Sequence, residues 1–397
     1  MLIYPTLKMT PIRGLTGFGG GATGSLVSGT SSLFPFSSFE FTQAGAGKRD
    51  GRTRSEFLAH SDYDTSTYSW LSDTNFFDVT TSDGIYPVGI QLFTVPATAT
   101  YRIEARGGHG GSIEAQYSPG TLSAFTGGIG ARIQGDFDLT EGEKLEILVG
   151  NEGGDVYEYG GGFGGAPGGG GSFVIKQRTD GVYSSSDILI IAGGGGGAEM
   201  GGRNTSDHGG NGQPSTVTGG AGQNSSQTHG FGSYGSDAPS GISGNYGTRA
   251  HGGINGYGGG GAMGGGGGGF YDRGGYGNNS AGSQGNGYVN GSNYSASERA
   301  RGGINDTGDN AVVPNGGFGG GAGAQHNTGY AGGAGGYSGG GGGHYGTNAV
   351  YSGQGQGNGG GGGSFNSGSN KVETTFTQAN HPNTLTGYES FVKITLL

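Results

Sequence analysis

Several groups of residues have types that could do chemistry, and in each the spacing falls short of what that chemistry needs. Gly45-Ala46-Gly47-Lys48-Arg49-Asp50 offers the glycines and lysine of a phosphate-binding loop. It lacks the leading glycine at the required distance, and no Ser or Thr follows Lys48 to hold magnesium. The histidines are His60, His109, His208, His229, His251, His326, His344 and His381. A zinc site needs several at ligand spacing on one element, whereas these stand singly. Asn305-Asp306-Thr307-Gly308-Asp309-Asn310 could turn oxygen ligands towards calcium, but a polar turn explains the same composition. Arg106-Gly107-Gly108, Arg273-Gly274-Gly275 and Arg301-Gly302-Gly303 have the form of RNA-binding elements. Dispersed on an acidic chain, they read as incidental. No Ser/His/Asp or paired-carboxylate set can be assigned to one pocket, so the expectation is no catalytic residue, no cofactor and no metal. Asn204, Asn224, Asn278, Asn290, Asn293 and Asn305 head glycosylation-type triplets, which Asn/Ser-rich spacers produce by chance.

The elements that would have to position such residues are unusual. Of 397 residues, 104 are glycine and 12% are charged. Such a chain has more backbone entropy to lose on ordering than any other, and its composition is that of a disordered linker. Against that stand 21 tyrosines and 19 phenylalanines, many of them near the glycine runs. The net charge of −10, from 19 basic and 29 acidic residues, argues against nucleic acid or anionic membrane as a partner. The absence of cysteine excludes disulfides and thiolate metal sites. Met1-Leu2-Ile3-Tyr4-Pro5 has neither the basic nor the apolar part of a signal peptide. The apolar runs are too short to span a bilayer, so no membrane insertion is expected.

Taken in order, residues 1–55 read as an extended arm broken by Pro5, Pro11 and Gly14. Its apolar residues Tyr4, Leu7, Met9, Ile12, Leu15 and Phe18 could lie on a neighbouring subunit. Residues 56–89 are an aromatic lead-in in which Trp70 is assigned to packing. Strand periodicity begins at Ile90. It runs through Gln91–Val95, Tyr101–Ala105, Ala131–Phe137 and, after a turn at Thr140–Glu143, Leu145–Val149. Phe173–Ile175 and Ile188–Ile191 are short continuous apolar runs, as buried strands show. Helical periodicity is nearly absent. These features define an all-β class, a β-sandwich formed by 90–192 and 364–397. Its last strand, Ser390–Leu396, closes the sheet that Ile188 opens.

Residues 193–363 form a glycine-rich insert. An insert of that length without structure would be anomalous within a compact domain. The alternative is a packed bundle of extended helices with three residues per turn. Glycine there keeps its N–H donor and allows close approach on every side. Tyr257, Phe270, Tyr276, Phe318, Tyr330 and Tyr337 would edge or cap such a bundle.

Four motifs carry a resemblance: Phe93–Gly111 (FTVPATATYRIEARGGHGG), Gly128–Gly154 (GIGARIQGDFDLTEGEKLEILVGNEGG), Tyr159–Val174 (YGGGFGGAPGGGGSFV) and Ile188–Ala198 (ILIIAGGGGGA). In that order they resemble the glycine-rich domain of anaplastic lymphoma kinase and leukocyte receptor kinase ectodomains. They also resemble glycine-rich structural proteins of marine tailed phages. The resemblance implies a tumour-necrosis-factor-like jelly roll carrying an inserted bundle of polyglycine II helices. Without cysteine, signal peptide, membrane helix or kinase domain, the chain departs from a receptor. The implied role is then a non-enzymatic virion structural protein, a fibre, spike or head decoration at the virion surface. It would dock on other virion proteins by its arm and assemble as a homo-oligomer, a trimer being plausible. The alternative is an adhesin at a tail or fibre tip, meeting a host glycan or outer-membrane protein.

Overall fold

The computed structural model of the chain describes residues 32–45, 49–81, 88–118, 121–159, 164–201, 205–207, 209–214, 251–261, 264–277, 283–289, 298–304, 315–324, 330–343, 358–374 and 389–397. The described strands are β1 (Ser38–Phe41), β2 (Phe77–Val79), β3 (Gln91–Thr94), β4 (Ala99–Arg106), β5 (Ile113–Ser118) and β6 (Thr121–Phe125). They continue with β7 (Arg132–Leu139), β8 (Lys144–Leu148), β9 (Val156–Tyr159), β10 (Gly164–Gly165), β11 (Ser172–Lys176) and β12 (Ile188–Ala192). The last are β13 (Glu199–Gly201), β14 (Thr205–Asp207), β15 (Phe365–Asn366), β16 (Ser369–Thr374) and β17 (Phe391–Leu396). The chain is all-β, as its periodicity implies, and its one described α-helix is the short Arg54–Leu58, held by a Thr53/Glu56 capping box.

Two large antiparallel sheets carry the core. One has the order β1-β17-β4-β7-β16 and the other β15-β12-β11-β8-β3-β2. Alternation along β4 and β7 sends Tyr101, Ile103, Ala105, Ile133 and Phe137 inward. There they share one apolar cluster with Phe93, Leu145, Ile147, Val174 and Ile190 of the second sheet. The outer face of the first sheet is polar. Arg102 grips Asp136 across the strands in two bonds of 2.8 and 3.0 Å, and Arg132 pairs with Glu104.

The stretch from residue 32 to 55, grouped with the arm by its composition, supplies a strand to this sheet. β1 pairs with β17 from Ser38 opposite Thr395 to Phe41 opposite Val392. Phe34, Phe39 and Phe41 are buried beside Trp70, whose ring lies 5.3 Å from Phe34 and 5.1 Å from Phe39. Trp70 is therefore a packing residue. One strand pairing differs from the sequence reading. β17 joins the first sheet beside β4, whereas β12, in the second sheet, takes β15 as its partner, with Ile191 opposite Phe365. Both candidates are short and apolar, and alternation alone does not say which sheet a strand enters.

The second sheet is buried on both faces, which explains its continuous apolar runs. All five residues of β12 are buried. On its outer face Phe173, Ile175, Ile188 and Ile191 meet Phe270, Tyr288, Phe318 and Tyr337 from the glycine-rich segments. Those segments pack beyond that sheet, starting where Gly193 N donates to Ser364 Oγ at 3.0 Å.

Candidate functional site

The glycine-rich region is held by its backbone, and the segment 193–198 shows how. Gly194 and Gly197 donate to Gly335 and Gly332 at 2.8 and 3.0 Å. Gly195 and Ala198 donate to Gly108 and Gly111 at 2.9 and 3.0 Å, and Gly196 donates to Gly210 at 2.8 Å. Its carbonyls accept with the same recurrence. Gly193 and Gly196 accept from Ala131 and Gly128, Gly194 and Gly197 from Gly362 and Gly359, Gly195 and Ala198 from Gly169 and Ala166. The partner thus changes at each residue and returns at every third.

Segment 332–337 repeats the pattern, donating to Ala166 and Gly169, to Gly265 and Gly268, and to Gly360 and Gly363. Segments 107–111, 128–131 and 166–169, which precede the insert, are thereby interleaved with segments inside it. The approach is so close that side chains have no room. A Cβ at Gly195 would fall on the carbonyl oxygen of Gly128, and one at Gly170 on that of Phe318.

The near end of this bundle is the seam with the second sheet. Tyr288 stacks between Phe173 and Phe270, with centroids 5.0 and 5.6 Å away. At its centre lies Glu146, fully buried, whose two carboxylate oxygens each accept a 2.6 Å bond, one from Tyr183 and one from Tyr288. Burial, then the neighbouring carboxylate, raises the Tyr288 phenol well above its ordinary range, so it stays protonated as donor. Strand alternation puts Glu146 on the face opposite Leu145 and Ile147, where solvent would be expected. The signal that this face is covered lies in the insert's aromatics. Of those expected to edge the bundle, Phe270, Phe318 and Tyr337 enter the seam and Tyr330 is buried, while Tyr257 and Tyr276 are exposed.

The far end is defined by a run of hydrogen bonds at one level. Ala198 donates to Gly111 and accepts from Ala166, whose carbonyl accepts from Gly332. Ala331 accepts from Gly343 at 2.8 Å, and Gly343 from Gly264 at 3.1 Å. Gly265 donates to Gly323, Gly323 to Ser283, and Ser283 to Ile304, at 3.2, 2.9 and 2.8 Å. Gly264, Ser283, Ile304, Gly323, Ala331 and Gly343, each at or within two residues of an end flanking 262–263, 278–282, 305–314, 325–329 or 344–357, belong to this run. Towards this end Tyr157, Tyr276 and Ile304 are exposed, and the Arg273 guanidinium lies 5.6 Å over the Tyr276 ring.

The other candidate residues resolve individually. Tyr4, Leu7, Met9, Ile12, Leu15 and Phe18 lie outside the described residues, as do Asn305–Asn310, Lys48, the glycosylation-type asparagines and His208, His229, His326, His344 and His381. His60 lies 3.4 Å from Asp62 near the surface, and His109 is buried against Glu152 at 3.2 Å. Among the described residues no group of three or more His, Asp or Glu side chains could hold a metal. Arg49 and Asp50, from the phosphate-loop-like stretch, strap the bundle. Arg49 Nε donates to Gly302 O at 2.9 Å, and Asp50 pairs with Arg301. The arginines of the Arg-Gly-Gly triplets are likewise engaged within the chain. Arg301 also bonds Glu298 at 3.0 Å, Arg273 lies over Tyr276, and Arg106 is buried 5.8 Å from the Phe391 centroid. A cavity lined by Gln43, Arg52, Gln91 and Asn151 is about 10 Å³, roughly enough for one water.

No family model matches the chain, and no curated protein matches it.

Proposed function

We propose that this chain is a non-enzymatic structural protein of a tailed-phage virion, a fibre, spike or head decoration, that presents the far end of its glycine bundle outward. The observation that carries the reading is the division of the bundle into two unlike ends. One is sealed onto a sheet by aromatic rings, and at the other the described ends of several spacer-bearing segments converge. A rigid support with convergent connections is how scaffolds display variable surface. Docking on other virion proteins falls to the arm residues Tyr4, Leu7, Met9, Ile12, Leu15 and Phe18, within the unit Met1–Ser31 that precedes the unit Ser32–Leu397. Homotrimerisation through the sheets belongs to the same proposal.

The finer fold belongs here too. The return of each hydrogen-bond partner at every third residue supports helices of the polyglycine II kind, which have three residues per turn. Two antiparallel sheets that pair sequence-distant strands, as β1 and β4 do through β17, support a jelly roll of the tumour-necrosis-factor type.

Mass spectrometry and electron microscopy of purified particles test the role, and absence of the chain from particles would refute it. A second reading, an adhesin for a host glycan or outer-membrane protein, is favoured by exposed Tyr157, Tyr276 and Ile304 at the outward end. Retention of the purified chain on host cells, reduced by Tyr157→Ala with Tyr276→Ala, supports it; no retention counts against it.

A further inference from the structure

We propose that His109, Glu152 and Gln43 form a proton-dependent clasp that fastens the segment 32–45 to the glycine bundle. His109 sits in segment 107–111, is buried, and both of its ring nitrogens face oxygen acceptors. Nδ1 lies 2.9 Å from the Gly110 carbonyl and Nε2 lies 3.2 Å from Glu152 Oε1. A carbonyl and an ionised carboxylate only accept, so both nitrogens must carry hydrogens for both bonds to form. A neutral ring would set a lone pair against one of the two oxygens at a site with little water to intervene. The clasp extends to segment 32–45 because the Gln43 side chain donates to Glu152. Gly153 N also bonds His109 O at 2.9 Å, which fixes the two glycine segments beside each other.

The charged groups around the ring favour the same state. Burial is the largest single influence and opposes the imidazolium, yet the bond and charge of Glu152, the Gly110 carbonyl and the charge of Asp155 outweigh it. The His109 value therefore lies above the ordinary 6.5. Burial likewise opposes the Glu152 carboxylate, and the bond and charge of His109 with the Gln43 bond hold it below its usual range. Arg52, in the described segment 49–81, is turned to the backbone beside Gln43, donating to Gln43 O at 3.1 Å and Gly45 O at 3.0 Å. Since the folded histidine value is raised and the Glu152 value lowered, the clasp contributes fully between the ordinary carboxylate and ordinary imidazole values. It is lost as pH rises through the folded histidine value, and is lost again as pH falls through the folded carboxylate value. Its loss frees residues around Gln43 and His109 while the sheet core, which holds no group of this pair, stays closed.

The test is an imidazole NMR titration of the intact chain together with hydrogen exchange over residues 42–45, 107–111 and 150–155, corrected for the intrinsic rate. His109 should titrate above the ordinary value. Protection of these segments should fall through the same midpoint, by about tenfold for each unit of elevation. In His109→Gln that pH dependence should vanish. Should that variant not fold, Glu152→Gln must lower the midpoint of the histidine. A His109 that stays neutral down to about pH 5, a pH dependence retained in His109→Gln, or an unmoved midpoint in Glu152→Gln would each overturn the clasp.

Discussion

The sheet core and the glycine bundle are ordered by opposite means. Between the sheets, side chains such as Phe93, Ile103, Ile147 and Ile190 interdigitate, and burial of apolar area is the driving term. In the bundle, main chains touch main chains, and most described residues are held by backbone hydrogen bonds. The entropy lost on ordering so many glycines is offset by that extensive backbone pairing and by the aromatic seam. The lesson is that a core can fail in two directions: one by losing atoms, the other by gaining them.

The comparison breaks most sharply at Gly195. Adding a methyl there, Gly195→Ala, drives a Cβ into the Gly128 carbonyl, and neither backbone has somewhere to move. We expect a loss above about 4 kcal/mol, read as a collapsed denaturation midpoint or insoluble chain. In the sheet core the damaging change is deletion. Phe93→Ala should cost about 3–5 kcal/mol in chemical denaturation, whereas the same reduction in size has no counterpart in the bundle. A cost for Gly195→Ala below that of Phe93→Ala would show that the bundle relaxes as a side-chain core does.

The seam belongs to both regions and sharpens the contrast. Tyr288→Phe removes one donor from the buried Glu146 and should cost about 1.5–3 kcal/mol. Its effect should appear as lost hydrogen-exchange protection in segment 283–289 before any in β4. The smallest effect is expected at a glycine chosen for its torsion alone. Gly142, in the turn between β7 and β8, has φ +79° and nothing near its missing side chain. Gly142→Ala should cost about 1–2 kcal/mol, the left-handed penalty without a clash. Thermal melts of Gly142→Ala and Gly195→Ala side by side separate torsional freedom from close approach.

Much of the sheet core was legible because period-two alternation is a local signal. Tyr101–Ala105, Ala131–Phe137, Leu145–Val149 and Ser390–Leu396 all fall on strands within a residue or two. The turn at Thr140–Glu143 closes with Glu143 N on Thr140 O at 3.0 Å. β1 was hidden because Phe39 and Phe41 sit among Ser and Gly residues that also suit a loose arm. The burial of Glu146 was hidden for a different reason. What covers it is Tyr288, from a segment whose own composition predicts no core. The outward position of Tyr157 and Tyr276 was illegible too, since glycine spacing says that segments pack but not which end faces the sheet.

One property of the bundle reaches beyond stability. Described residues beside five of the connections lie at one level of the far end, so the support there does not depend on what joins them. Closing a longer connection between fixed ends costs only about 0.6 kcal/mol for each doubling of length. Mutation can therefore lengthen, shorten or rewrite residues 262–263, 278–282, 305–314, 325–329 and 344–357 one at a time while the glycines between them stay frozen. Descendants of this chain should differ by insertions and deletions clustered at those positions, and be nearly invariant in the length of each glycine run.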